Sequence, residues 1–404
     1  MPRWLKFALQ NTLRNRRRSL VTVTIAALGT AAILLAGGFA LSTYHALAQS
    51  AARSTGHLIV GLPAQFTQDE DTPLQHGLDD AATLSATLMA DPAVRHVLPR
   101  IAFSGLVSNG DKSTVMLATG VDPDAEFAVK GPFLNVVAGE VLVSGAKDAD
   151  VMLGDGLAKS LKAQPGSGLT LLASTTDGAL NAIDVRVKGI FSTGVPDIDK
   201  RLVYTDIATA QRLLNTKRVS TLGVFLDRME STPSAQARVQ ALFPKFTVQT
   251  WLDQAFFYAS VKGLYNRIFG ALGLIIATIV LFVVANAMAM AIIERTREIG
   301  TLRTLGTLPR QLQGALALEG MVLGLAGALA GAAAALGIAL LLYVVPVQMP
   351  PPPGSTRGYP LNVDIDPALY AITVVAIVAL TTLASAWIAR KTVRMPLVDA
   401  LAHT

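Results

Sequence analysis

The chain has 404 residues, with 34 Lys and Arg against 28 Asp and Glu for a net charge of +6, and 51% hydrophobic but only 15% charged residues. Soluble domains are about 25% charged, so this composition excludes an ordinary soluble enzyme. The sequence contains no cysteine, which excludes disulfides, thiolate metal sites, iron–sulfur clusters and a cysteine nucleophile.

Four apolar segments hold most of the hydrophobic residues, and they lie at 20–41, 268–293, 312–345 and 367–389. At about 1.5 Å per residue, each is long enough to cross a hydrocarbon core of about 30 Å. Buried core helices are the alternative, but these usually have fewer than about 18 consecutive apolar residues. The first segment also resembles a secretory signal with a cleavage site at residues 46–48, but it exceeds the usual length of about 7–15 residues, so we expect a retained anchor.

Lys and Arg near the ends of the apolar segments predict the orientation, because cytoplasmic flanks carry the excess of positive charge. The N-terminal tail, the connection between the second and third segments and the C-terminal tail are all rich in arginine or lysine. We therefore expect an inner (cytoplasmic) membrane protein with both termini in the cytoplasm. These basic clusters lie at membrane boundaries without interleaved aromatics, which favours membrane lipid over nucleic acid as a partner.

The long region after the first segment alternates short strand-like runs with helical runs, separated by Gly, Pro and Asp. This pattern predicts an external α+β domain split into lobes. The catalytic motifs HExxH, GxSxG and SxxK are absent, and the histidines have no ligand spacing, so we expect no enzyme, no metal site and no catalytic residue in this chain. His57 fits the start of a strand better than a metal ligand.

These observations predict an α-helical membrane protein with four transmembrane helices and a large α+β extracytoplasmic domain inserted between helices 1 and 2. Residues 251–267 are either a stalk that extends helix 2 outwards or an interfacial aromatic belt. The expected boundaries are a cytoplasmic amphipathic segment at 1–19, transmembrane helix 1 at 20–42, the extracytoplasmic domain with its stalk at 43–266, transmembrane helix 2 at 267–293, a cytoplasmic segment at 294–311, transmembrane helix 3 at 312–345, an external loop at 346–366, transmembrane helix 4 at 367–389 and a cytoplasmic tail at 390–404.

The segment 294–306, with the sequence ERTREIGTLRTLG, is the most informative part of the chain. Ile299, Leu302 and Leu305 recur every three residues and predict one apolar side of a helix, while opposite charges at i,i+3 support its start. Gly306 is placed to end this helix, and Pro309 to begin the next one. From composition alone, the favoured interpretation is a solvated helix that serves membrane topology only.

The residues of this segment resemble the signature of the FtsX/MacB/Lol-type permease superfamily of ABC transporters (type VII membrane subunits), in which one span precedes a large external domain and three follow it. The resemblance extends to the basic stretch 14–19, to the VMLGDGLAKSL stretch at 151–161, and to the C-terminal RKTVRMPLVDAL stretch at 390–401. It therefore covers essentially the whole chain.

The resemblance implies a permease that depends on a separate cytoplasmic ABC ATPase, which agrees with the absence of a GxxxxGK[ST] loop. This chain would carry no cofactor, while ATP and Mg²⁺ would bind the partner. The segment between helices 2 and 3 would contact the ATPase through Glu294, Arg295, Thr296, Arg297, Glu298, Ile299, Gly300, Leu302, Arg303 and Gly306.

The third apolar segment has four glycines in small-xxx-small spacing, at Gly320, Gly324, Gly327 and Gly331. Such spacing lets membrane helices approach closely. Since the resemblance implies a dimer with a second permease copy or a paralogue, these glycines either pack two chains together or pack helices within one chain.

We expect a permease that transmits ATP-driven motion to its periplasmic domain, in order to release lipoprotein or move a hydrophobic or periplasmic substrate. Its further partners would then be a lipoprotein or a periplasmic carrier or adaptor. The alternative is a non-transporting FtsX-like scaffold that activates an extracytoplasmic cell-wall hydrolase.

Overall fold

The computed structural model describes residues 8–10, 12, 14, 16–67, 70, 72–131, 135–145, 148–294, 296–349 and 358–393. Its helices are α1 (Arg16–Thr55), α2 (Pro63–Thr67), α3 (Ala81–Met89), α4 (Pro123–Lys130), α5 (Asp155–Leu161), α6 (Pro196–Asp199), α7 (Ile207–Leu214), α8 (Thr232–Leu242), α9 (Trp251–Gln254), α10 (Phe256–Glu294), α11 (Thr296–Thr304), α12 (Pro309–Val344) and α13 (Pro367–Val393). Its strands are β1 (Leu58–Gly61), β2 (Val94–Ser108), β3 (Ser113–Val121), β4 (Asn135–Gly139), β5 (Asp150–Gly154), β6 (Gly168–Ser174), β7 (Leu180–Ser192), β8 (Leu202–Asp206), β9 (Thr221–Leu226), β10 (Thr247–Thr250), β11 (Gln348–Met349) and β12 (Tyr359–Pro360).

Four helices among the described residues are long and apolar enough to cross a membrane, namely α1, α10, α12 and α13. A large α+β region lies between the first and the second of them, so this part of the predicted fold class is confirmed. The chain divides into two compact units, one that holds most of the four helices and one made of residues 46–260, which also includes the end of α1 and the start of α10.

Two of the four helices continue beyond their apolar stretches. Helix α1 has 40 residues and ends at Thr55, and α10 has 39 residues and begins at Phe256. The short helix α9 precedes α10 and starts with a capping box, in which the Asp253 carboxylate accepts from the Thr250 backbone nitrogen at 2.7 Å. The region before the second span is therefore helical from Phe256 onwards and continuous with that span.

Six strands of the domain pair in a closed circuit. In order they are β2, β3, β8, β5, β7 and β6, and β6 pairs with β2 to complete the ring. The 15-residue strand β2 is long enough to pair with β9 as well, and β9, β1 and β10 extend the sheet on this side. Strand β4 adds to β7 on the other side.

One buried apolar cluster runs through the whole domain. It contains Leu58 and Val248 from the β1–β10 side and Val107, Leu153 and Val187 from the closed circuit. The sequence predicts separate lobes, but among the described residues the two halves share this core. The reason is β2, which belongs to both halves and therefore leaves no linker at which they could separate.

Candidate functional site

Helix α11 packs its apolar side against the ends of two membrane helices. Ile299 is 5% exposed and lies in one cluster with Leu312 and Leu316 of α12 and Ala389 of α13, while Leu302 is half-buried beside it. Burial of such side chains stabilises a packed helix by about 1.5–3 kcal/mol each. Helix α11 is therefore held to the bundle by its own side chains.

The opposite side of α11 faces outwards. Thr301 and Thr304 are exposed, and Leu305 is 79% exposed. The sequence places Leu305 with Ile299 and Leu302, but this placement is wrong. Helix α11 ends at Thr304, so Leu305 lies in the turn that follows the helix and not on its buried side.

Gly306 ends α11 in the left-handed conformation, with φ +92°. Its backbone nitrogen donates to the Arg303 carbonyl oxygen, and the Thr307 nitrogen donates to the Leu302 oxygen, both at 3.1 Å. This pair of bonds is a Schellman motif, which satisfies the last carbonyls of the helix. Pro309 then begins α12, as expected.

The structure describes only part of the segment 294–306, which is predicted to contact the ATPase. Glu294 is exposed, Gly300 is buried and Arg303 is half-buried. Arg295 lies outside the described residues, as do the side chains of Thr296, Arg297 and Glu298. The predicted role of all these residues in binding an ATPase stays a prediction.

The four glycines of α12 lie against helices of the same chain. A methyl group at Gly320 would come within 2.5 Å of the Ser385 Cβ, and one at Gly324 would overlap the side chain of Thr381, both in α13. Gly327 and Gly331 instead approach α1, where an added methyl group would come within 2.5 Å of the Ala26 Cβ and 2.7 Å of the Thr30 Cβ, respectively. Of the two alternatives, these contacts favour packing within one chain.

Hydrogen bonds join α12 to α13 close to α11. The Ser385 hydroxyl donates to the Leu316 carbonyl oxygen at 2.7 Å, and the Gln313 side chain donates to the Ala386 carbonyl oxygen at 3.1 Å. In a membrane such bonds add about 0.6–2 kcal/mol to helix association. The two helices that support α11 are therefore themselves bound to each other.

The outer ends of α1 and α10 are joined by an aromatic cluster. The Tyr44 hydroxyl donates to the Asn266 Oδ1 at 2.7 Å, and the rings of Phe39 and Phe269 meet edge to face at 6.2 Å. The Lys262 ammonium group lies 5.8 Å from the centre of the Tyr44 ring. These contacts hold together the two helices that lead into and out of the domain.

The last turn of α1 is bound to a buried ion-pair cluster in the domain. Arg100 donates to the Ser54 carbonyl oxygen at 2.5 Å and to both Glu126 carboxylate oxygens at 2.9 and 3.1 Å. Lys130 lies 2.8 Å from the same carboxylate. Burial would raise the pKa of Glu126, but Arg100 and Lys130 outweigh it and hold this pKa below its ordinary value.

Sequence reasoning missed this cluster, although part of its signal is local. Asp122 caps α4, Pro123 follows it, and Glu126 and Lys130 are an i,i+4 pair on the predicted helix. Arg100 gives no local signal, because it reaches Glu126 only through the pairing of β2 with β3.

Two family models match this chain. The model of the MacB-like periplasmic core domain matches residues 19–242, which is more than half of the chain. The model of the FtsX-like permease C-terminal region matches residues 270–397. Together they cover both structural units.

The curated relatives include two proteins of one system. The chain is 26% identical over 267 residues to the lipoprotein-releasing system transmembrane protein LolE of Haemophilus influenzae, with 64% of this chain and 63% of LolE covered. It is 25% identical over 249 residues to the lipoprotein-releasing system transmembrane protein LolC of Neisseria meningitidis serogroup B, with 58% of each covered. The chain thus spans less than two thirds of the length of these relatives.

The periplasmic region of MacB from Actinobacillus actinomycetemcomitans is a similar solved structure, at 16% identity and a TM-score of 0.35, with 50% of this chain and 92% of that one covered.

Proposed function

Since the chain belongs to the FtsX/MacB/Lol-type permease superfamily, we propose that it is the membrane subunit of an ABC transporter that transmits the motion of a separate cytoplasmic ATPase to its periplasmic domain. ATP and Mg²⁺ would bind that ATPase. Within the described residues, no group of three His, Asp or Glu side chains converges on a metal site.

The observation that carries this proposal is the geometry of α11. Its inner side is packed against α12 and α13, its outer side presents Thr301 and Thr304, and the 79% exposed Leu305 follows in the next turn. A large exposed leucine next to polar side chains suits a groove on a partner protein. A push on this side would pass into the bundle, because α11 is bound to it by packed apolar residues.

The outward path of the motion would run through α1 and α10. The Tyr44–Asn266 hydrogen bond and the Phe39–Phe269 contact join these helices at their outer ends. The Arg100–Ser54 bond then ties the end of α1 to the Glu126 cluster. These contacts support joint movement of the two helices.

Lipoprotein is the cargo class that we propose. LolE and LolC carry lipoprotein release in their names. The apolar stretches at 20–41, 268–293, 312–345 and 367–389 contain one Asp, Glu, Lys, Arg or His residue, Glu319. Such helices do not offer the charged, hydrated cavity that a polar solute needs, which favours a lipid-anchored or amphipathic cargo taken from the outer leaflet.

The positions of Lys and Arg support an orientation in a bacterial inner membrane with both termini and α11 in the cytoplasm and the α+β domain in the periplasm. We propose a dimer with a second copy or a paralogue. The further partners that we propose are a lipoprotein or a periplasmic carrier or adaptor.

The test is ATP hydrolysis by the complex of this chain with its ATPase in lipid nanodiscs, with and without a triacylated lipoprotein. Leu305→Asp should abolish stimulation by the lipoprotein while the four helices stay folded. The control is Leu180→Asp, the same change at a leucine of the external domain that is 75% exposed. Hydrolysis that ignores lipoprotein in the native complex would contradict the cargo, and unaltered stimulation in Leu305→Asp would contradict the coupling contact.

A further inference from the structure

A cleft of about 400 Å³ opens in the external domain beside the last turns of α1. Gln49 and Arg53 of α1 line one side of the cleft. The other side is lined by Arg95 and His96 at the start of β2 and by Asp227 directly after β9. These residues lie outside the stretches that resemble the permease superfamily, and the proposed transmission of motion does not use them.

Arg95 is aimed into the cleft by an irregularity of the sheet. The register of β2 against β9 shifts between Val94 and His96, which leaves Arg95 without a cross-strand partner. Such a β-bulge re-aims a side chain, and bulges are frequent beside binding sites. Arg95 is exposed, and its guanidinium group makes no ion pair with any residue that the structure describes. A solvated arginine of this kind is free to bind a carboxylate with two parallel hydrogen bonds.

His57 and Phe225 also line the cleft. The Leu226 backbone nitrogen donates to the His57 Nδ1 at 3.1 Å, so the other ring nitrogen carries the proton and is a donor. Burial and then the charge of Arg53 lower the pKa of His57, and the opposing effect of Glu230 is smaller. The charge of Arg53 thus affects His57 more than that of Glu230 does, and Asp227 also lines the cleft.

The position of the cleft along α1 favours a polypeptide over a lipid head group. Gln49 follows eight residues after Leu41, the end of the apolar stretch, which is about 12 Å of helix. The head-group layer extends only about 5–7 Å beyond the hydrocarbon core. This distance along α1 favours an acidic segment of a protein outside the membrane over an anionic lipid as the occupant of the cleft.

We propose that this cleft binds a carboxylate-bearing polypeptide segment, with Arg95 as the main anion ligand and His57, His96 and Arg53 completing a donor-rich wall. The occupant is bound between the end of α1 and the strands of the domain. It therefore contacts both sides of the junction that the Arg100–Ser54 bond closes.

The chain has no cysteine, so Met229→Cys creates a single labelling site inside the cleft for a bimane fluorophore. The full chain in phosphatidylcholine nanodiscs is titrated with hexaglutamate and with hexaglutamine. We expect a saturable fluorescence change with hexaglutamate alone, weakened by added salt. This local readout does not respond to peptide bound at the arginines near the membrane.

Two substitutions with opposite effects decide the assignment. Arg95→Gln should raise the Kd of hexaglutamate about tenfold, the effect of losing one charged hydrogen-bonded pair of about 1.4 kcal/mol. Asp227→Asn should lower the Kd several-fold, because it removes a like charge. The control is Arg228→Gln, which removes the same charge beside the cleft but not from its lining, and should change the Kd less than twofold.

Equal responses to hexaglutamate and hexaglutamine, or an unchanged Kd in both Arg95→Gln and Asp227→Asn, would overturn the proposal. A fluorescence change caused by phosphatidylglycerol in the nanodisc, without peptide, would overturn it in favour of a lipid head group.

Discussion

Arg100 donates a hydrogen bond of 2.5 Å to the carbonyl oxygen of Ser54, in the last turn of the first membrane-spanning helix. The same guanidinium group binds the Glu126 carboxylate, whose side chain is 1% exposed, and lies 5.8 Å from the centre of the Phe225 ring. A charge that is buried in this way is stable only while its partners remain. The end of α1 is thus bound to a part of the domain core that tolerates little rearrangement.

Arg100→Met should lower the free energy of unfolding of the domain by about 3–5 kcal/mol, because it leaves the Glu126 carboxylate buried with one partner fewer. The melting temperature of the full chain in detergent measures this loss. Adding Glu126→Gln to Arg100→Met should restore at least half of it, since no buried charge then remains to be paired.

Arg218→Met is the control for this prediction. Arg218 binds Asp79 at 2.6 Å, but the two side chains are 40% and 76% exposed. An exposed pair contributes about 0–1 kcal/mol. Equal losses of stability in Arg100→Met and Arg218→Met would show that the buried cluster stabilises the domain no more than an exposed ion pair does.

The stability of the domain should depend on acid through Glu126. Its pKa in the folded chain lies below the ordinary value of about 4.3, so the stabilisation is fully present above that value and is lost as the pH falls through the folded pKa. Melting temperatures from pH 7 to pH 3 should therefore show Glu126→Gln less stable than the native chain at pH 7, with a difference that narrows in acid. A difference that is constant over this range would contradict the assignment.

Gly324→Ala should weaken the packing of α12 on α13 by about 1–3 kcal/mol, since the added methyl group overlaps the Thr381 side chain. Unfolding in mixed micelles with increasing dodecyl sulfate, followed by tryptophan fluorescence, measures the effect. Gly337→Ala is the matched control in the same helix, because a methyl group there meets no atom within 4 Å. It should be neutral or stabilising by up to about 1 kcal/mol.

Gly306→Ala should disturb the end of α11, because alanine at φ +92° costs about 1–2 kcal/mol relative to glycine. We expect lipoprotein-stimulated ATP hydrolysis to fall several-fold at unchanged expression. Gly314→Ala, in α12 with no atom within 4 Å of the added methyl group, should leave stimulation intact. If both variants behave alike, the Schellman motif has no part in coupling.

The sequence predicts the four apolar helices, because their length and hydropathy depend on local composition alone. It also predicts that Gly306 ends a helix and that Pro309 begins one, since both signals act within a single turn. It misplaces Leu305, because a short three-residue repeat does not say where a helix stops. It does not decide whether the glycines of α12 pack against a second chain or within one chain. Their spacing predicts a helix face that another helix can approach closely, but it does not identify that helix.

The closed circuit of strands and the Arg100 cluster depend on pairing between residues far apart in the chain. Strand β2, for example, pairs with β3, β6 and β9. No pattern in a single sequence specifies three partners for one strand. The bulge at Arg95 is equally invisible, because it exists only as a shift of register between two strands. These are the features from which the junction and the cleft are built.

The pairing of β1 with β10 decides which forces the domain withstands. Leu58 faces Thr250, so the chain arrives from α1 and departs towards α10 at the same end of one antiparallel pair. Pulling the two helices apart would break the hydrogen bonds between β1 and β10 one after another, starting at Leu58 and Thr250. Two paired strands resist a force in this direction least. Pulling both in the same direction would leave the ladder intact and move the domain as a whole. The β1–β10 pair thus withstands movement of the two helices in the same direction better than movement that separates them.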